Sequence, residues 1–256
     1  MLRKGDLTQG GITGTLLHFT LPMLVGSFLQ QCYNIADTLI VGQCIGAGAL
    51  AAVGSAYTLM VFLISVLLGL AMGSGTVFSL HYGAGNHVAL RRSIFSSFVL
   101  IGIVTLILNV AVFIWLDPIL WLLQVPQDIY GMMRSYLWII FCGIVFTFIY
   151  NFYASLLRAV GDSVTPLWFL AVSVVLNIAL DLFFILQLDW GIQGAAAATV
   201  LAQGVAALGI IIYTYRRRPE LRWHHEDMCF DRTCLKEIAS FSTLTCVQQS
   251  VMNLGI

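Results

Sequence analysis

Six stretches of this sequence are each long and apolar enough to cross a bilayer as a helix, and no other feature restricts its fold as strongly. They run over roughly 15–41, 49–80, 93–116, 131–157, 166–188 and 193–215. In lipid every backbone polar group needs a partner within the protein, so a span is a helix or part of a closed barrel. The period-2 alternation of a barrel strand is absent. The expected fold is therefore an all-α polytopic membrane protein, a six-transmembrane-helix bundle. Composition agrees, because only 9% of residues are charged, against about 25% in a soluble domain.

The breaks between spans read QCIGAG (43–48), HYGAGNHVALRR (81–92), LDPILWLLQVPQD (116–128), RAVGDSVTP (158–166) and LDWGIQ (188–193). Each holds Gly, Pro, Asn or Asp, the residues that end helices. Four segments follow: a polar N-terminus at 1–14, the membrane lobe at 15–215, a basic connector at 216–237, and the start of a seventh membrane helix at 238–256. The first apolar stretch is too long for a cleaved signal and is read as a retained span.

The 12 basic residues set the orientation. With the N-terminus in the cytoplasm, Arg134 alone faces outward, and the rest, from Arg3 and Lys4 to Arg232 and Lys236, face inward. Trp115, Trp121 and Trp190 then fall near the outer surface and Trp168 near the inner one. Net charge is zero, which removes any whole-chain argument for a nucleic-acid partner. Small residues at Gly54, Ser55, Ala56, Gly69, Gly73 and Gly75, and from Gly194 to Ala198, predict close helix packing.

Polar side chains inside spans are costly and mark function. Gln30, Tyr33, Asn34 and Asp37 fall at i, i+3, i+4 and i+7, on one face of the first span. Pro22 lies inside the same span and removes one intrahelical donor, which predicts a hinge. In the fifth span Ser173, Asn177 and Asp181 repeat every four residues, and in the sixth Thr199 and Gln203 do the same. The helical rise puts Asp37, Asp181 and Thr199 about 8, 11 and 9 Å from the outer ends of their spans, in one layer. Asn151 lies deeper, in a different layer. Two carboxyl groups, an amide and a hydroxyl in one poorly solvated layer suit a proton or a hard cation such as Na⁺. The alternative is two separate carboxylates that face water-filled crevices or are hydrogen-bonded for packing.

Other motifs carry less. His18 is read as a histidine near the membrane surface. His224, His225, Cys229 and Cys234 fit no trusted zinc spacing, and the 6 cysteines are read as free thiols. Met72 to Gly75 is read as packing and not as a protease motif, since no histidine in the later spans would activate Ser74. There is no Walker A or HExxH pattern. No catalytic residue and no cofactor beyond the coupling ion is expected.

Several segments together resemble the MATE (multidrug and toxic compound extrusion) family. They are LPMLVGSFLQQCYNIADTLIVG, ALAAVGSAYTLM, GLAMGSGTVFSLHYGAGN, LLRAVGDSVTP, NIALDLFFIL and GIQGAAAATVLAQ. The resemblance implies one lobe of a twelve-helix exporter that antiports organic, often cationic, compounds against H⁺ or Na⁺ in the bacterial inner membrane. It implies a cation-coupling site at Asp37, Asn177, Asp181 and Thr199, which doubles as the metal site if the ion is Na⁺. It further implies that Gln30, Tyr33 and Asn34 line the substrate cavity and that Pro22 bends the first helix. The second lobe is expected in a longer parent, or a second copy if the chain is a complete half-transporter. A lipid-linked precursor flippase or polysaccharide exporter of the wider superfamily, and a non-transporting membrane subunit, are the alternatives. The flippase calls for Arg or Lys facing the cavity, and the spans carry none away from their ends.

Overall fold

The computed structural model describes residues 12–222 and 232–254. Most of the polar N-terminus and the residues His224, His225 and Cys229 lie outside the described residues, as do the side chains of His18 and Cys234. Helices α1 (Ile12–Cys44), α2 (Ala47–Gly83) and α3 (His87–Leu122) run up and down. α4 (Gln127–Cys142) and α5 (Ile144–Ala159) follow, then α6 (Val164–Leu182), α7 (Gly191–Arg217) and α8 (Arg232–Leu254). No strand occurs among the described residues, so the all-α membrane bundle is the observed architecture.

α2, α3, α6 with its extension, and α7 are each long and apolar enough to span, and α4 with α5 makes a fifth span if taken as one bent unit. α1 is not among them, although its 33 residues extend to about 50 Å. Gln30, Gln31, Asn34 and Asp37 dilute its apolarity. Pro22 sits within an uninterrupted α1.

Three local readings need correction. The fourth span is two helices meeting at Gly143 with a bend of 47°, and Val200 of α7 fills the space where a Cβ at Gly143 would stand. The fifth span ends in a π-helical turn, Phe183–Gln187, one residue beyond α6. The breaks are also shorter than read. α3 continues through Pro118 to Leu122, and the chain reverses at Gln124 with φ 52. At the α2–α3 turn the reversal is confined to residues 84–86, where Gly85 takes φ +69 and the Asn86 side chain accepts from Ala89 N–H at 3.0 Å.

The core lies between α2, α3, α4 and α5. Phe78, Phe98, Phe148 and Phe152 pack there edge-on or tilted, with Met133, Leu137, Phe141 and Leu156 fully buried beside them. Outward faces carry Leu, Ile and Val, as lipid contact demands. Trp115, Trp121, Trp168 and Trp190 are all exposed, the first two toward the end of α3, Trp190 at the start of α7 and Trp168 in the second turn of α6. α1 lies at the margin against α2, α6 and α7, with Phe28 72% exposed.

The small residues divide by role. A Cβ at Gly69 or Gly73 would stand 2.7 Å from Cys246 N or 2.6 Å from Ser242 N, so α8 lies backbone to backbone on α2. Ser242 Oγ donates to Leu70 O at 3.2 Å across this seam. Gly54 faces open space and packs against nothing. At the far rim, Asp162 caps α6 through Thr165 N–H (3.0 Å) and receives Arg218 Nη2 (3.3 Å), tying the α5–α6 turn to the end of α7.

The seam makes a prediction. Gly69→Leu will push α8 off α2, because the obstruction is backbone and cannot rotate away, while Gly54→Leu will leave it in place. Maleimide labelling of Cys246, half-buried in the wild-type protein, will accelerate in the first variant alone.

Candidate functional site

Three helices converge at one level of the bundle. α1 brings Tyr33 and Asp37, α6 brings Asn177 and Asp181, and α7 brings Thr199. Asp37 and Thr199 are 8% exposed, Asn177 1% and Asp181 0%. Local sequence explains the presentation: Tyr33 and Asp37 are one turn apart, as are Asn177 and Asp181, so each pair shares a helix face. Ile35 and Leu39, on the other side of α1, are more than half exposed.

The polar groups form a closed set. Tyr33 Oη and Thr199 Oγ1 lie 3.2 Å apart. Asn177 is best satisfied with its amide turned so that the nitrogen donates to Asp181 Oδ2 at 3.0 Å and the oxygen accepts from Thr199 N–H at 3.2 Å. In the opposite orientation the amide nitrogen reaches only Thr199 Oγ1, at 3.3 Å. The Asp37 and Asp181 carboxyl groups stand within hydrogen-bonding reach of each other. Yet Oδ1 of each is buried without a donor. Two ionised carboxylates can only accept, so neither can supply the other's missing donor. The carboxylate, amide and hydroxyl oxygens form a donor set for a hard cation. No cluster of three His, Cys, Asp or Glu side chains occurs among the described residues, so no softer metal cage is built there.

The other cavity candidates are not drawn into this set. Asn34 Nδ2 donates along its own helix to Gln31 Oε1 at 3.4 Å. Gln30 is half-buried two turns before Asp37, and Pro22 lies about four turns before it. One turn beyond Thr199, Thr147 Oγ1 donates to Gln203. Asn151 joins that separate layer through Thr147 O at 2.8 Å.

Tyr136 was not singled out by the sequence pattern. It is buried on α4, within electrostatic reach of Asp37, Tyr33 and Asp181. It belongs to a helix face of Met133, Tyr136, Leu137 and Ile140 that reads as plain core. Only depth in the fourth span, compared with the depth of the acids, would have pointed to it.

Comparison with known proteins fits this architecture. The family model MatE matches residues 22–183. The probable multidrug resistance protein YpnP of Bacillus subtilis is 36% identical over 85% of this chain and 49% of its own length. The multidrug export protein MepA of Staphylococcus saprophyticus is 31% identical over 79% of this chain and 45% of its own. A MATE family multidrug resistance transporter of the MOP superfamily, solved in an outward-facing conformation, superimposes with a TM-score of 0.90 at 24% identity, over 97% of this chain and 55% of that one. The chain thus spans about half the length of the relatives it matches. With the family model covering more than half of its residues, the chain belongs to the MatE family, a family of membrane transporters and not of enzymes.

Proposed function

We propose that this chain is the ion-coupling lobe of a secondary multidrug exporter. H⁺ or Na⁺ entering from outside occupies the acid cluster, and small organic, positively charged cargo leaves in exchange. The observation that carries the reading is the pair Asp37 and Asp181: two acids from distant stretches of sequence, buried together, each with one oxygen lacking a donor. Asn177 and Thr199 complete the oxygen set, and Tyr33 joins it to the face of α1 on which Gln30 and Asn34 also lie.

Antiport needs each ligand to prefer a different state of the protein. Loading the cluster changes the charge on the Asp37 face of α1, the helix that carries Pro22. A helix bent or shifted by that change offers cargo a different cavity. The reading includes an N-terminus in the cytoplasm of a bacterial cell, as the distribution of basic residues supports, and a second lobe that completes the cavity. The names of YpnP and MepA support multidrug cargo.

Two experiments test it, both on the full-length natural protein in proteoliposomes with an imposed pH or Na⁺ gradient and a panel of cationic dyes. Asp37→Asn will weaken binding of the coupling ion by about 5- to 150-fold, the usual range of a coupling free energy, and gradient-driven efflux will fall with it. Full efflux by this variant contradicts the reading. Thr199→Val removes one oxygen donor and leaves both acids. It will raise the Na⁺ concentration for half-maximal efflux if Na⁺ is the coupling ion and change it little if the ion is H⁺.

A further inference from the structure

A polar side chain deep in a span needs a reason, and Asn109 on α3 has a specific one. Its Nδ2 donates to Phe141 O at 2.7 Å. Phe141 lies in the last turn of α4, two residues before Gly143, where the ladder tightens and Gly143 N–H reaches Ile140 O at 2.9 Å. The break has a wall on its other side as well. Val200 of α7 occupies the space beside Gly143, with Cγ1 2.7 Å from the position of a Cβ. One turn along α3, the Phe113 ring meets Trp138 with centroids 4.8 Å apart. α3 therefore grips α4 at two points, and α7 closes the break.

The two residues flanking this grip both lead to the acid cluster. Val200 follows Thr199 directly in the chain. Phe141 is five residues from Tyr136, on the same rigid helix. The bend of 47° at Gly143 fixes the direction of α4 relative to α5, and so where Tyr136 stands against Asp37 and Asp181.

We propose that Asn109 is a positioning residue for the ion site, setting the tilt of α4 and through it the placement of Tyr136. The inference rests on the ion-coupling reading above. Without the amide, one anchor of α4 at the break is lost, the helix relaxes toward a straighter path, and the Tyr136 hydroxyl shifts relative to the carboxyl groups.

The test uses the full-length protein in membrane vesicles. A hydrophobic carbodiimide labels Asp37 and Asp181, and mass spectrometry follows the labelling across H⁺ and Na⁺ titrations. Asn109→Leu will move the midpoint of labelling by about three- to tenfold in ion concentration, a modest coupling for neighbouring residues. Asn109→Gln, which keeps an amide donor, will move back toward the wild type, and Asn109→Ser covers the case of a leucine variant that fails to fold. In a Tyr136→Phe background the same substitutions will add little. An unchanged midpoint in folded protein, or a shift as large in the Tyr136→Phe background as in the wild type, overturns the proposal. Labelling in the wild type that ignores both ions instead contradicts the ion-coupling reading. Asn109 is then judged by the distance between nitroxides at positions 54 and 131, which will change in Asn109→Leu if the amide sets the tilt of α4 and stay constant if it does not.

Discussion

The constraint around which the candidate site is built is a pair of carboxyl groups held together away from water. Moving one ionised carboxylate out of water costs several kcal/mol even after the protein relaxes, and a like charge beside it adds to that. Asp37 and Asp181 are buried against each other with a donor missing at one oxygen of each. The surrounding hydrogen bonds reduce the cost without removing it. Asn177 gives its amide proton to Asp181 Oδ2 and takes the Thr199 backbone N–H, and Tyr33 reaches across to Thr199. What is left over is one carboxyl oxygen on each acid without a donor, and the rest of the bundle holds the two acids in place.

The scaffold is irregular at several points. α6 gives way to a π turn directly after Asp181 and Leu182. Such turns widen a helix locally and recur at functional sites. The fourth span breaks at Gly143, which lets α4 approach the acids while α5 stays packed on α2 through Ser155, whose Oγ donates to Ala71 O at 2.8 Å. The regular helices around these points carry the aromatic core and the lipid-facing surface. At the opposite rim the Asp162–Arg218 pair ties the beginning of α6 to the end of α7, the two helices whose other halves present Asn177, Asp181 and Thr199.

The one-helix geometry was readable from the chain, and the between-helix geometry only in part. Asn177 and Asp181 share a face because four residues make nearly one turn. Counting rise per residue put Asp37, Asp181 and Thr199 at one depth before any helix packing was known. The breaks were legible as regions and not as lengths, since Pro118 reads as a stop, whereas α3 tolerates it. Tyr136 was invisible because its neighbours Met133, Leu137 and Ile140 make an ordinary apolar face. What distinguishes it is the neighbour across the gap, which periodicity does not encode. Gly143 was hidden for the same reason: an isolated glycine in an apolar run signals a break only when Val200 is known to press against it. Asn34, on the polar face of α1, turned out to bond along its own helix, so a shared face did not imply a shared partner.

The position of α1 follows from its composition and bears on how an ion would be felt elsewhere. Its own polar residues dilute its apolarity, and it stands at the edge of the lobe. Much of its leucine-rich surface is exposed, and it lies outside the aromatic core shared by α2, α3 and α5. Among the described residues, polar anchors from it to the other helices include Tyr33 at Thr199 and Asp37 at Asp181. On the ion-coupling reading, an incoming charge at the cluster acts on a helix that packs mainly against α6 among the described residues. A change of a few kcal/mol at those anchors is enough to shift a two-state equilibrium by orders of magnitude. The same change applied to α2, clamped by α5 on one side and the α8 backbone on the other, would be absorbed by close packing. On the ion-coupling reading, a polar, loosely held α1 beside a rigid α6–α7 pair is the arrangement that turns occupancy of a small site into movement of a whole helix.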